Sequence, residues 1–175
     1  MKILISVNTF WNIFNFRLEL MKELKSKGHI IYAVAPIDEY ISKLESIGVI
    51  CYSVNLDPMG TNPLKDLQLI NQYYKLFKKI KPDIILSFTI KANIYGNIAA
   101  RVLKIPTINN ISGLGTIFIK KSLSTYIGES LYKFSLKSSS HIFFQNIDDK
   151  QLFITKKLVE PNKDFKNILI EYINE

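Results

Sequence analysis

The chain has 175 residues, 47% hydrophobic and 22% charged, enough for one domain with its own core and unlike a disordered or low-complexity polypeptide. Its formal charge of +8 points to an anionic partner such as a phosphorylated ligand or an anionic membrane surface, yet Lys78, Lys79, Lys81, Lys156 and Lys157 also read as solvated helix faces, and no basic run interleaves with aromatics as nucleic-acid binding would require. No apolar run reaches the roughly 20 residues that span a bilayer, and the single Cys51 excludes an internal disulfide, which favours a cytoplasmic protein and a core role for the thiol.

The N-terminal "MKILISVNTF" has a short apolar run broken by polar "SVNT" and no small-residue cleavage site, so it predicts a buried strand at 3–7, not a signal peptide. The loop "NTFWNIFNFR" that follows carries Phe10, Trp11, Phe14 and Phe16 but no glycine. A dinucleotide site needs a G-x-G-x-x-G turn there, because a pyrophosphate must reach bare backbone. That excludes an NAD- or FAD-dependent oxidoreductase, and no G-x-x-x-x-G-K-[ST] run supports a P-loop. A helix is predicted over 15–27, with Phe14, Leu18, Met21 and Leu24 as its core stripe. Arg17 then falls in the first turn, where a cation opposes the helix dipole; it marks either a bound anion or an ordinary surface charge.

Gly28 and Gly48 close helices ahead of strands at 30–35 and 49–54, with a helix at 39–47 between them, and Asp38 and Glu39 suit that helix's N-terminus. The next helix, 64–80, shows Leu67, Ile70, Tyr74, Phe77 and Ile80 at helical spacing and stops before Pro82. After a strand at 84–88 comes "SFTIKANIYG". There Ser87, Thr89, Lys91 and Asn93 are polar groups at a buried strand's end, available either to an anion shared with helix amides or to capping of the helix at 93–103. Pro106 precedes a strand at 107–111, and "NNISGLGTIF" then places Gly113 and Gly115 where positive φ or close backbone approach is allowed, as a structural turn or as a ligand contact. A helix at 123–137, a strand at 142–144 and a helix at 149–156 complete the series, and "NILIEYI" in the tail reads as a last strand or helix. His29 and His141 open strands, at the wrong end for chemistry, and no His/Cys spacing supports a metal.

Six strand–helix units predict an α/β fold: a Rossmann-like parallel sheet of order 3-2-1-4-5-6 with helices on both faces and ligands at the C-terminal ends of the strands.

Taken together and in order, "NIFNFRLELMKELKSKGH", "APIDEY", "GTNPLKDL", "KPDIILSFTIKANIYGNIAA" and "NNISGLGTIF" resemble the N-terminal domain of family 4 glycosyltransferases of the bacterial surface-polysaccharide and protein-glycosylation type. The resemblance covers residues 1–157, with 158–175 as a tail near an inter-domain hinge. It implies one half of a GT-B fold, the acceptor-binding half of a retaining, metal-independent enzyme. That enzyme moves an N-acetylhexosamine from a UDP-linked donor to an undecaprenyl-diphosphate-linked glycan. Arg17, Thr89, Lys91, Asn93, Gly113 and Gly115 match its acceptor side, and no position here matches a catalytic residue. The usual "TIKPN" is "TIKAN", with Ala92 for proline. The donor-binding second domain is expected outside these 175 residues, with no cofactor bound by this half. A lipid-linked acceptor also implies contact with the inner face of the plasma membrane. For this "TIFIKKS" offers Phe118 beside Lys120 and Lys121, a sequence equally readable as a buried apolar turn with two solvated lysines. The alternative is a non-catalytic Rossmann-like binding module, or a subunit of a split enzyme.

Overall fold

The computed structural model of the protein describes residues 1–58, 60, 62–112, 123–159 and 165–167. Seven parallel strands form one sheet of order β3-β2-β1-β4-β5-β6-β7. They are β1 (Lys2–Ser6), β2 (Ile30–Ala35), β3 (Ile50–Ser53), β4 (Ile84–Phe88), β5 (Thr107–Ile111), β6 (His141–Phe144) and β7 (Phe165–Asn167). The first six stand in the predicted order, and β7 extends the β6 edge and ends on Asn167, the first residue of "NILIEYI", whose other six residues lie outside the described ones.

Alternation along the strands sorts the core into two layers. Ile3, Ile5 and Val7 of the first strand and its end pack with Ile31, Ala33 and Ala35 against α1 (Phe10–Ser26) and α2 (Ile41–Ser46). Leu4, Val34, Ile85, Ile142 and Phe144 point to the other face, where α3 (Pro63–Ile80), α4 (Asn97–Val102), α5 (Leu123–Leu136) and α6 (Ile147–Thr155) lie. Right-handed crossovers on both sides of β1 require this division. Gly28 and Gly48 take the left-handed conformation expected of helix ends, with φ of +80° and +74°.

Three expectations change. The first helix begins at Phe10, because the Thr9 hydroxyl caps it by accepting from the Asn12 N–H at 3.0 Å and because Phe10 and Ile13 are fully buried. The aromatic "loop" is thus the opening of α1, and Arg17 falls in its interior, so the opposition to the helix dipole assigned to it does not apply. On α3 the buried stripe is Leu69, Tyr73, Phe77 and Ile80; Leu67 is 65% exposed. The helix after β4 is not uniform: Ala92–Gly96 forms a π-helical turn before α4.

Candidate functional site

The C-terminal edge of the sheet carries a pocket of about 210 Å3 lined by Asn8, Leu56, Pro58, Thr89, Ile90, Lys91 and Ser112. These residues follow β1, β3, β4 and β5, so the pocket occupies the place where a doubly wound sheet binds ligands. Thr89, the first residue past β4, has φ of +66°, a left-handed conformation that is costly for a β-branched residue. Its carbonyl accepts the Asn93 N–H at 2.9 Å and so starts the helix, while its hydroxyl oxygen is buried without a partner among the described residues. The side-chain oxygen of Asn8 is likewise unpartnered.

Lys91 does not point to water. Its ammonium lies 2.6 Å from Asp66 Oδ1, and both side chains are largely buried, at 12% and 16% exposure. Tyr95, in the π-turn, donates its phenol to the second Asp66 oxygen at 2.7 Å. Burial, and then the hydrogen bond and charge of Asp66, hold the Tyr95 phenol well above its ordinary pKa, so it remains a donor. Asp66 is the residue that sequence reasoning missed. In "NPLKD" it reads as a helix-dipole residue of the first turn of α3, and nothing local announces that α3 packs on the π-turn.

Asn93 is expected to face the cleft, but it is buried and its side chain is committed to the fold. Its amide donates to the Asn110 carbonyl at 2.9 Å, its oxygen accepts from Asn109 Nδ2 at 2.8 Å, and it hydrogen-bonds Tyr132. Asn109 also exchanges bonds with Asn97 at 2.8 and 3.1 Å and accepts from Ser139 at 2.7 Å. This buried network fastens the π-turn and α4 to β5 and to the residues before β6. A π-turn inside a helix at a strand's C-terminal end is a frequent feature of functional sites.

Arg17 approaches the same edge from the other sheet face. Its guanidinium lies 4.4 Å from the ring centroid of Phe88, the last residue of β4, and 5.7 Å from that of Phe16. Burial lowers its pKa, and no carboxylate pairs with it among the described residues. Phe88 is in register with Asn110 of β5, whose side-chain oxygen is buried and unpartnered. The structure therefore brings Thr89, Lys91 and Arg17 to one edge and removes Asn93 from it. Gly113, Gly115, Phe118, Lys120 and Lys121 lie outside the described residues; Ser112 at the pocket rim leads into them.

His29 stays at the opposite edge, its Nδ1 3.5 Å from the N-terminal amine, and His141 opens β6 there. Among the described residues no three His, Cys, Asp or Glu cluster to hold a metal, and no helix is long and apolar enough to cross a membrane.

The Glycosyl transferase 4-like family profile matches residues 2–146. One relative, N,N'-diacetylbacillosaminyl-diphospho-undecaprenol alpha-1,3-N-acetylgalactosaminyltransferase of Campylobacter jejuni, is 31% identical over 140 residues, which are 77% of this chain and 37% of that protein. A second, UDP-Gal:alpha-D-GlcNAc-diphosphoundecaprenol alpha-1,3-galactosyltransferase of Escherichia coli, is 25% identical over 132 residues, 73% of this chain and 32% of that protein. Among solved structures, a glycosyltransferase of Rickettsia africae superposes with a TM-score of 0.70 at 16% identity, covering 95% of this chain and 42% of its own. UDP-GlcNAc 2-epimerase of Methanocaldococcus jannaschii does so at 0.68 and 17%, covering 96% and 45%. The chain thus spans under half the length of the proteins it matches, and the shared architecture is one half of a GT-B fold. From the family match over most of its length, on a sheet whose strand order agrees, this chain belongs to the Glycosyl transferase 4-like family.

Proposed function

We propose that the chain is the acceptor-binding half of a retaining glycosyltransferase that moves an N-acetylhexosamine from a UDP-sugar to a lipid-diphosphate-linked glycan. The observation that carries this reading is the polar, incompletely satisfied pocket of Asn8, Thr89, Lys91 and Ser112 at the ligand-binding edge of the sheet, with Arg17 over Phe88 at the same edge and no carboxylate paired with it among the described residues. The names of both curated relatives place an undecaprenol-linked diphosphate on the acceptor and specify an α-1,3 linkage. An α-linked nucleotide sugar that yields an α-glycoside has kept its configuration, which is the basis for proposing retention. The donor half belongs to a partner domain on this reading, because the α1 entry is built of Phe10, Trp11 and Ile13 with no bare glycine backbone for a pyrophosphate. The acceptor reaches the site at the cytoplasmic bilayer surface, with Phe118, Lys120 and Lys121 as the proposed membrane contact.

Calorimetric titration of the chain tests this. A short-chain prenyl-diphosphate N-acetylhexosamine binds measurably, whereas UDP-N-acetylhexosamines bind no more tightly than about 1 mM, roughly 4 kcal/mol. Micromolar affinity for the UDP-sugar with none for the prenyl diphosphate assigns the pocket to the donor and overturns the proposal.

A further inference from the structure

Lys91 and Arg17 look equivalent as cations for an acceptor diphosphate, but their surroundings differ. The Lys91 charge is already compensated by Asp66 at 2.6 Å, and Tyr95 holds that carboxylate in place from its other oxygen. A diphosphate entering beside Lys91 would also meet Asp66, a like charge in a largely buried setting. The free valences of the pocket point the same way. Asn8 Oδ1 is a pure acceptor, and a phosphate oxygen offers it no proton, whereas a sugar hydroxyl does. The Thr89 hydroxyl, unpartnered too, can both donate and accept. Arg17, by contrast, rests on Phe88 with no carboxylate beside it among the described residues. Its planar fork suits a phosphate, and its half-buried setting over Phe88 strengthens that attraction.

We propose that the Asn8–Thr89–Lys91 pocket reads the uncharged hydroxyls of the acceptor saccharide, that Asp66 is the positioning residue which keeps the diphosphate out of it, and that Arg17 takes the diphosphate. The inference rests on the acceptor-side reading above and divides that site into a saccharide part and an anion part.

Site-resolved NMR titration of the chain with two separate probes, methyl N-acetyl-α-D-glucosaminide and inorganic pyrophosphate, tests it. The glycoside shifts the amides of Thr89 and Lys91 and the side-chain amide of Asn8. Pyrophosphate shifts the Arg17 Nε–H and leaves Thr89 and Lys91 unmoved. In Asp66→Asn, pyrophosphate gains the pocket, binding there about tenfold or more tightly as Lys91 loses its counter-charge, and the glycoside weakens. Tyr95→Phe keeps the carboxylate and still excludes pyrophosphate. The proposal is overturned if pyrophosphate perturbs Thr89 and Lys91 of the unaltered chain, or if the glycoside leaves the pocket untouched; neither result needs a variant to fold. Failure of the underlying reading shows elsewhere, as micromolar UDP-sugar binding in the calorimetric titration.

Discussion

Asn109→Ala is the sharpest test of what holds the site. Asn109 is fully buried on β5, and its amide supplies hydrogen bonds to the side-chain oxygens of Asn93 and Asn97, while its oxygen receives Asn97 Nδ2 and the Ser139 hydroxyl. Truncation strands the Asn93 and Asn97 oxygens without these donors. Ser139 and Asn97 keep each other at 3.0 Å, so their loss is smaller. Two buried acceptors left unmet cost about 1–3 kcal/mol each, so the variant should lose about 2–6 kcal/mol. Against the 5–15 kcal/mol typical of a domain that is a large fraction. Thermal unfolding followed by far-UV circular dichroism should show a Tm lowered by about 5–20 °C at this chain length. Asn97→Ala in the same background should add less than it costs alone, because the pair shares its bonds. A loss below about 1 kcal/mol for Asn109→Ala, or strict additivity in the double variant, would refute the claim that this network fastens the π-turn to the sheet.

Other outcomes follow from single contacts. The Tyr73 phenol, buried and pushed up to about 12, protects its proton in the folded chain. Since the unfolded phenol ionises near 10, the Tyr73 contribution to stability should be fully present below about pH 10 and fall by about 1.4 kcal/mol per pH unit between there and pH 12, read by urea unfolding as the difference in slope between the unaltered chain and Tyr73→Phe, because the raised phenols of Tyr95 and Tyr132 add slopes of their own. Tyr73→Phe removes that slope, and it should cost about 1–3 kcal/mol at pH 7, because the buried Ser6 hydroxyl, 2.9 Å from the phenol, loses its partner. Gly48→Ala should destabilise more than Gly28→Ala. Both have positive φ, so each substitution carries the same left-handed backbone cost; the added Cβ at Gly48 meets only the movable end of the Lys25 side chain and that at Gly28 meets nothing within 4 Å, so the excess at Gly48 should be under about 1 kcal/mol. Liposome flotation should recover more protein with anionic than with neutral vesicles, and Lys120→Ala with Lys121→Ala should remove the difference; equal recovery from the start rules out the proposed membrane contact.

The order of the first six strands was legible because they are short apolar runs, four of which, β2 to β5, start just after Gly28, Gly48, Pro82 and Pro106, and the crossover rule constrains the rest. The beginning of α1 was not, since Thr9 caps through its side chain while the aromatic cluster behind it hides the helical period. The π-turn was invisible for a related reason. Nothing in "ANIYG" distinguishes a π-turn from an α-helical one, and the bonds of Asn93 to Asn109 and Asn110, two elements on in the chain, accompany the wider turn. Lys91 was found from its place at the end of β4, but its partner is Asp66, 25 residues upstream on α3. Pairings of that range are set by tertiary packing and leave no local signature.

The two ends of the sheet differ in how completely they are satisfied, and that contrast locates function independently of any relative. At the N-terminal edge the Lys2 N–H donates to Asp83 at 2.7 Å, the Lys2 ammonium to the Ile80 carbonyl at 3.0 Å, and the Asp83 N–H to the Lys2 carbonyl at 2.9 Å. These bonds tie off the starts of β1 and β4. At the C-terminal edge Asn8, Thr89 and Asn110 keep buried oxygens unmet, Thr89 holds a left-handed backbone, and Arg17 is desolvated without a carboxylate. A fold with only a few kcal/mol of net stability retains such costs where an incoming group removes them. The unmet atoms on the pocket side are an amide acceptor and a hydroxyl that both donates and accepts, and on the opposite sheet face is a cation with no carboxylate beside it among the described residues. The proposed acceptor, a saccharide carrying a diphosphate, has hydroxyls for the first and an anion for the second, which neither a simple anion nor an apolar molecule has.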